Sequence, residues 1–173
     1  MHRSYVERLA EELDVEGWSL IQVVMSSSYL QFGISSLDTD AEELNMLIDS
    51  LKGRDYASQV VVAGHSTGCQ DAVHYARKHP GKLDGVILQA PVSDRECMFM
   101  EPGTASKLAL AEDMIAADRG EELMPRASFY APITARRFQS LAGRLGDDDL
   151  FRFAPSLCAC RDTPCIYTHC ANV

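Results

Sequence analysis

The sequence predicts an α/β fold in which a parallel sheet is flanked by helices and followed by a helical, cap-like insertion. Three observations carry that expectation. Short apolar runs rich in β-branched residues alternate with amphipathic helical periods as far as Pro91. Each run is apolar throughout, the pattern of strands covered on both faces. Residues 105–119 and 134–145 then keep helical periodicity with no strand between them.

Val6, Leu9, Ala10 and Leu13 fall at helical spacing, so residues 3–14 read as an amphipathic helix ended near Gly17. Trp18 to Val24 reads as a buried strand, and the Ser- and Gly-rich stretch from Met25 to Ser36 as a loop. Leu37, Ala41, Leu44, Leu47, Ile48 and Leu51 mark a second helix. Asp38, Asp40, Glu42 and Glu43 suit the positive end of its dipole, and Gly53 stops it. Gln59 to Ala63 is a second strand, Thr67 to His79 a helix closed by Pro80 and Gly81, and Val86 to Leu88 a third strand. Met98, Phe99 and Met100 read as packing within the insertion, and Pro164 to Cys170 as a weak fourth strand. With no repeat and no Ser/Gly/Pro-rich linker, one domain is expected over residues 1–151, followed by a divergent Cys-rich tail at 152–173.

Composition narrows the function classes. The chain of 173 residues is 46% hydrophobic and 24% charged, enough apolar surface for a core. Sixteen basic against twenty-five acidic side chains leave a net charge of −9. Such a chain repels phosphate backbones and anionic lipid, which argues against nucleic-acid and membrane partners. Its longest apolar runs, such as Val60 to Ala63, fall far short of the ~18 residues of a spanning helix. Met1 to Asp14 lacks the apolar stretch of a secretory signal, so a cytoplasmic location and reduced thiols are expected.

Chemistry centres on Gly64-His65-Ser66-Thr67-Gly68, a G-x-S-x-G sequence between an expected strand and an expected helix. In that context the serine sits on a sharp turn, its hydroxyl exposed at the carboxyl edge of the sheet. Gly64 and Gly68 leave room for neighbouring chain, and the N–H of Thr67 faces the place where an oxyanion would develop. A tight or phosphate-binding β–α turn is the plainer alternative. His65, adjacent to the serine, points away from it and reads as structural.

Residues 64–75, GHSTGCQDAVHY, resemble the elbow of a eukaryotic α/β-hydrolase family formerly of unknown function and related to fungal siderophore (fusarinine-type) esterases. The resemblance runs from about residue 5 to 151, through Trp18-Ser19-Leu20, Ser26-Ser27-Ser28-Tyr29, GVILQAPVSDRE at 85–96, LMPR at 123–126, APITA at 131–135 and GDDD at 146–149. It implies a partial α/β-hydrolase fold, Ser66 as nucleophile and the Thr67 amide as one oxyanion donor. The implied reaction is hydrolysis of a small-molecule ester through an acyl-serine, with no cofactor and no metal.

The chain also departs from that pattern. The family's triad runs serine, acid, histidine along the sequence, yet neither the acid-bearing turn nor the later histidine loop has a counterpart before Val173. The strand and Gly-rich loop that would supply a second oxyanion donor are likewise missing ahead of the first helix. The chain is therefore read as truncated at both ends, with an uncovered sheet edge that an oligomer or partner would have to cover. His74 follows Ser66 by eight residues on one helix, about 12 Å away, and a base must come within about 3 Å. His79 is farther still, His2 precedes the sheet, and the position of His169 is undetermined. Asp147, Asp148 and Asp149 read as a solvated turn. Cys158, Cys160, Cys165, His169 and Cys170 are soft ligands, but Cys158-x-Cys160 is tighter than structural zinc pairs. Three readings stay open: a serine esterase, weak or inactive in this form, a catalytically dead derivative that acts by binding, and a zinc-stapled interaction module built on the tail.

Overall fold

The computed structural model describes residues 4–151. Ser4 opens α1 (Tyr5–Val15): its hydroxyl accepts from Glu7 N–H at 3.2 Å while the Glu7 carboxylate accepts from Ser4 N–H at 2.8 Å. This reciprocal pair satisfies two donors that a helix start leaves bare. At the other end Gly17, at φ 79°, lets Trp18 N–H reach Leu13 O at 2.9 Å and Gly17 N–H reach Asp14 O at 3.1 Å. The helix lies where its periodicity puts it, although none of its residues is buried.

Residues 18–24 correct the expectation of a buried strand. They join no ladder, and Ile21, Val23 and Val24 are 52%, 42% and 71% exposed. An apolar run becomes a strand only where a neighbour takes up its N–H and C=O groups. Among the described residues no strand does so.

Ser36 caps α2 (Leu37–Gly53), accepting from Thr39 N–H at 3.2 Å. Next come β1 (Val61–His65), α3 (Gly68–Lys78) and β2 (Gly85–Gln89). The two strands run parallel, as expected, in a register that sets Val61 beside Gly85 and His65 beside Gln89. The first of them sits two residues later than the sequence reading placed it. On one face Val62, Val86 and Leu88 pack against Ala72 and Ala76 of α3, and Tyr75 joins Ala41, Leu44 and Ile48 of α2. On the other face Val61 and Ile87 are 37% and 47% exposed. The expectation of a sheet covered on both faces therefore fails among the described residues. The strand expected at Val86 to Leu88 is present as β2, the one expected at Trp18 to Val24 is absent among the described residues, and the candidate at Pro164 to Cys170 lies outside them.

The insertion after β2 folds as α4 (Asp94–Phe99), α5 (Thr104–Ala116) and α6 (Ala135–Ala142). The last two match the expected helical stretches. An antiparallel bridge between Leu123 and Thr134 closes the loop that joins them. Met114, Met124, Ile133, Phe138 and Leu141 form its core, with Met98 packed against it. Phe99 and Met100 do not follow Met98 inward and are 47% and 79% exposed.

The apolar clusters of the sheet layer draw on residues 25–88, and that of the insertion on residues 98–142. Where the two units meet, Gly33 lies against Pro132, and Thr134 N–H donates to Gly33 O at 2.9 Å. Beside this contact the Phe32 ring packs against Phe129 and Tyr130, with centroids 6.1 and 5.9 Å away, and the polar part of the seam overturns the reading of Asp147–Asp149 as a solvated turn. Only Asp147 is exposed. Asp148 is buried, accepting from Arg137 Nη1 at 2.5 Å and Ser140 Oγ at 2.8 Å, and Asp149 accepts from Arg95 Nε at 2.9 Å. Among the described residues no helix is long and apolar enough to cross a membrane.

Candidate active site

Ser66 stands between the last residue of β1 and the start of α3, half-buried, with φ 55°. A serine in this left-handed region costs roughly 1–2 kcal/mol, so the surroundings must hold it there. They do so through two hydrogen bonds. Ser66 N–H donates to Gln89 O on the neighbouring strand at 3.0 Å, and Cys69 N–H donates to Ser66 O at 3.0 Å. A Cβ on Gly64 would lie 2.3 Å from Gly68 O and 2.8 Å from Cys69 Cα, so only glycine allows the first turn of α3 to fold back on β1. The same test corrects the reading of Gly68: a Cβ there would meet nothing within 4 Å. The close approach belongs to Gly64 alone.

Beneath the turn the Cys69 thiol is fully buried, 3.3 Å from Gly64 O and 3.4 Å from Gln89 O. Burial pushes its pKa up, which makes it a packing group and a weak nucleophile. Thr67 is exposed and takes the N-cap position of α3 without a side-chain cap bond. Among the described residues its N–H donates to no backbone carbonyl. It sits at the positive end of the α3 dipole.

The structure brings none of the described histidines to Ser66. His74 Nε2 lies 2.8 Å from Asp38 Oδ1 on α2, and His79 stacks on Tyr75 with ring centroids 4.8 Å apart. His65, read as structural, is exposed at the end of β1. His2 and His169 lie outside the described residues, as do the tail cysteines. Among the described residues no three His, Cys, Asp or Glu side chains are placed to hold a metal ion.

Sequence reasoning missed the carboxyl cluster one turn into α3. Gln70, fully buried, donates through Nε2 to Val92 O at 3.1 Å and to Asp94 Oδ2, tying the elbow helix to the loop after β2. Burial lifts Asp71 to about 7, helped by the charge of Asp40 and a hydrogen bond with it. Burial and the charge of Asp148 lift Asp94 to about 6. Asp40 is raised too, chiefly by burial. One signal was available. Asp40 falls on the same helical stripe as Leu37, Leu44 and Ile48, where a carboxylate needs a partner if it is to be buried.

Comparison with known proteins agrees with this architecture. The chain is 34% identical over 162 residues to a UPF0613 protein of Schizosaccharomyces pombe, covering 85% of this chain and 51% of that protein. It is 30% identical over 203 residues to the fusarinine C esterase sidJ of Aspergillus fumigatus, covering 86% and 56%. The solved structure of the siderophore hydrolase EstB from Aspergillus fumigatus superposes with a TM-score of 0.58 at 30% identity, covering 87% of this chain and 55% of that one. The chain thus spans about half the length of the curated relatives it matches. Its parallel pair, flanking helices and helical insertion are part of an α/β-hydrolase fold. A family model described as "Protein of unknown function (DUF1749)" matches residues 2–156, and the chain belongs to that family.

Proposed function

We propose that this chain carries the nucleophile-bearing part of a serine esterase that acts on a small-molecule ester, with Ser66 as nucleophile and the Thr67 amide as an oxyanion donor. The observation that supports it most is Ser66 at φ 55° between β1 and α3, with Gly64 allowing the two to close on each other. Relatives named as esterases or hydrolases support the reaction class. In that reaction Ser66 Oγ attacks the ester carbonyl while a base takes its proton. The oxyanion collapses to an acyl-serine, the alcohol leaves with the proton, and water then releases the acid. No cofactor enters.

Among the described residues no histidine stands ready as the base, because each is engaged elsewhere or adjacent to the serine. Loss of the triad histidine alone costs about 10⁶ in turnover in a serine protease. We therefore infer that this 173-residue form is weak or inactive. The same observation favours a second reading, in which the chain acts by binding an acyl ligand or a partner.

Labelling with a fluorophosphonate separates the two. The chain by itself should show no labelling of Ser66 above background. Joined to the flanking segments of a longer relative, it should gain both labelling and turnover of short acyl esters, and Ser66→Ala should remove both. Failure of the joined protein to label would leave the binding reading.

A further inference from the structure

Four carboxyl groups converge where the insertion meets the sheet layer: Asp40 from α2, Asp71 from α3, Asp94 from α4, and Asp148 beyond α6. One guanidinium, Arg137 of α6, faces them. It lies 2.5 Å from Asp148 and also donates through Nε to Phe32 O at 2.9 Å. Asp40 and Asp148 are 5% and 2% exposed, and Gln70 is fully buried with its Oε1 unpartnered. Nearby charges do not supply the missing cations. Arg95 is taken by Asp149 and Glu96, and Glu43, bonded to Ser26, adds negative charge near Asp40. His74 and Lys78 face Asp38 on the outer side of the α2–α3 pair.

With every carboxyl ionised, one cation in this seam would face four anions, of which Asp40 and Asp148 are buried and Asp71 and Asp94 half-buried. Such a seam either takes up protons or opens.

We propose that this cluster is a proton-operated latch that fastens the α4–α6 insertion to the elbow helix α3. Its parts are distributed for that role. Asp40 and Asp71 stand on the sheet side, Arg137 and Asp148 on the insertion side, and Asp94 opens the insertion with Gln70 of α3 donating to it. A proton held between Asp40 and Asp71 keeps the seam closed. The pKa values near 7 for Asp71 and 6 for Asp94 put its release close to neutrality. The Gly33–Thr134 contact carries no titratable group and remains as the hinge. The latch does not depend on Ser66 being a nucleophile, so its failure and that of the esterase reading are distinct.

Hydrogen–deuterium exchange of the 173-residue chain tests it, at about pH 5.5 and pH 8 with exchange times scaled for intrinsic rates. Amides of α4 and α6 should lose protection on going to the higher pH, by about tenfold more than those of α2. Asp71→Asn with Asp94→Asn, which mimic the protonated groups, should abolish that difference. Equal loss across α2, α4 and α6, or an unchanged difference in the double variant, would overturn the latch. If the double variant does not fold, carboxyl ¹³C titration of the unaltered chain decides. At least one cluster carboxyl should titrate above about pH 6, and titration of all of them below about pH 5 sinks the proposal.

Discussion

Ser66 donates its backbone N–H to Gln89 O at 3.0 Å, so the turn that carries the hydroxyl is fastened to the end of the adjacent parallel strand. The thiol of Cys69 lies 3.4 Å from the same carbonyl. The elbow therefore depends on the register of β1 with β2 and on the depth to which α3 seats against them. Both are set by groups that take no part in chemistry.

Gly64 is the position where this seating is most sensitive. A methyl group there would meet backbone atoms of Gly68 and Cys69, which cannot move without displacing the start of α3. Gly64→Ala should cost about 3 kcal/mol or more in urea denaturation. Gly68→Ala, with open space around its Cβ, should be neutral or stabilising by up to about 1 kcal/mol. Equal costs at the two positions would contradict the geometry.

Arg137 should behave unlike its neighbour Arg136. Replacing Arg137 by Ala leaves Asp148 buried and without its cation, and frees Phe32 O as well. Uncompensated buried charge of this kind costs about 3–5 kcal/mol. Lys at this position should not restore it, because one ammonium cannot reach both acceptors in the fork geometry of a guanidinium. Arg136, paired with Glu121 across an exposed surface, should be replaceable by Ala with almost no change in the denaturation midpoint.

Stability should fall as pH rises through neutrality. Asp71 and Asp94 have folded pKa values of about 7 and about 6, above the 3.8 of an ordinary aspartate. The native state then binds more protons than the unfolded state between those values, and the slope of stability against pH is negative there. Their contribution is full below the unfolded pKa and is lost as pH passes the folded ones. Asp38 acts in the opposite sense, since hydrogen bonds from His74 and Lys78 hold its carboxyl below its usual value, but it is largely exposed and its effect is screened. Denaturation midpoints should peak on the acid side of neutrality and decline towards pH 8. Asp71→Asn should flatten the decline.

What could be read from the residues, and what could not, divides by sequence distance. The start of α1 is written in Ser4 and Glu7, three residues apart, and its end in Gly17. The elbow is written in five consecutive residues. The start of α4 was legible too but passed over: Ser93 caps it, accepting from Glu96 N–H at 3.3 Å, the S-x-x-E signature of a helix start. Trp18 to Val24 misled because apolar content does not say whether a neighbouring strand is present. Asp148 misled because its cation comes from Arg137, eleven positions away on another element, and a run of aspartates looks solvated until that partner is placed. The same holds for Asp40 with Asp71, where two helices had to be docked before their carboxyls could be seen to share a site.

The two thiols among the described residues should differ sharply in reactivity. Cys97 is exposed on α4, and Cys69 is buried under the elbow with a raised pKa. Brief treatment with iodoacetamide should alkylate Cys97 in the folded chain. Cys69 should react only once denaturant releases α3 from β1. Early labelling of Cys69 would mean that the elbow opens far more often than its hydrogen bonds allow.

The open face of the sheet gives the remaining prediction. Parallel strands are covered on both faces because their side chains are apolar on both, yet Val61 and Ile87 are 37% and 47% exposed. β1 has a hydrogen-bonded neighbour on one side only among the described residues. Residues 18–24 add Ile21, Val23 and Val24 to the apolar surface. A net charge of −9 opposes association at low salt, and that opposition weakens as the Debye length shrinks to about 3 Å at 1 M salt. The chain should therefore associate more strongly as salt rises, as read by light scattering after size exclusion. A charged residue on the open face should reverse this, so Ile87→Lys should lower the associated fraction at every salt concentration. Lys at Leu110, another exposed apolar residue but on α5, should leave it unchanged. A chain that stays monomeric in high salt, or one in which both substitutions act alike, would show that the exposed strands are not the sticking surface.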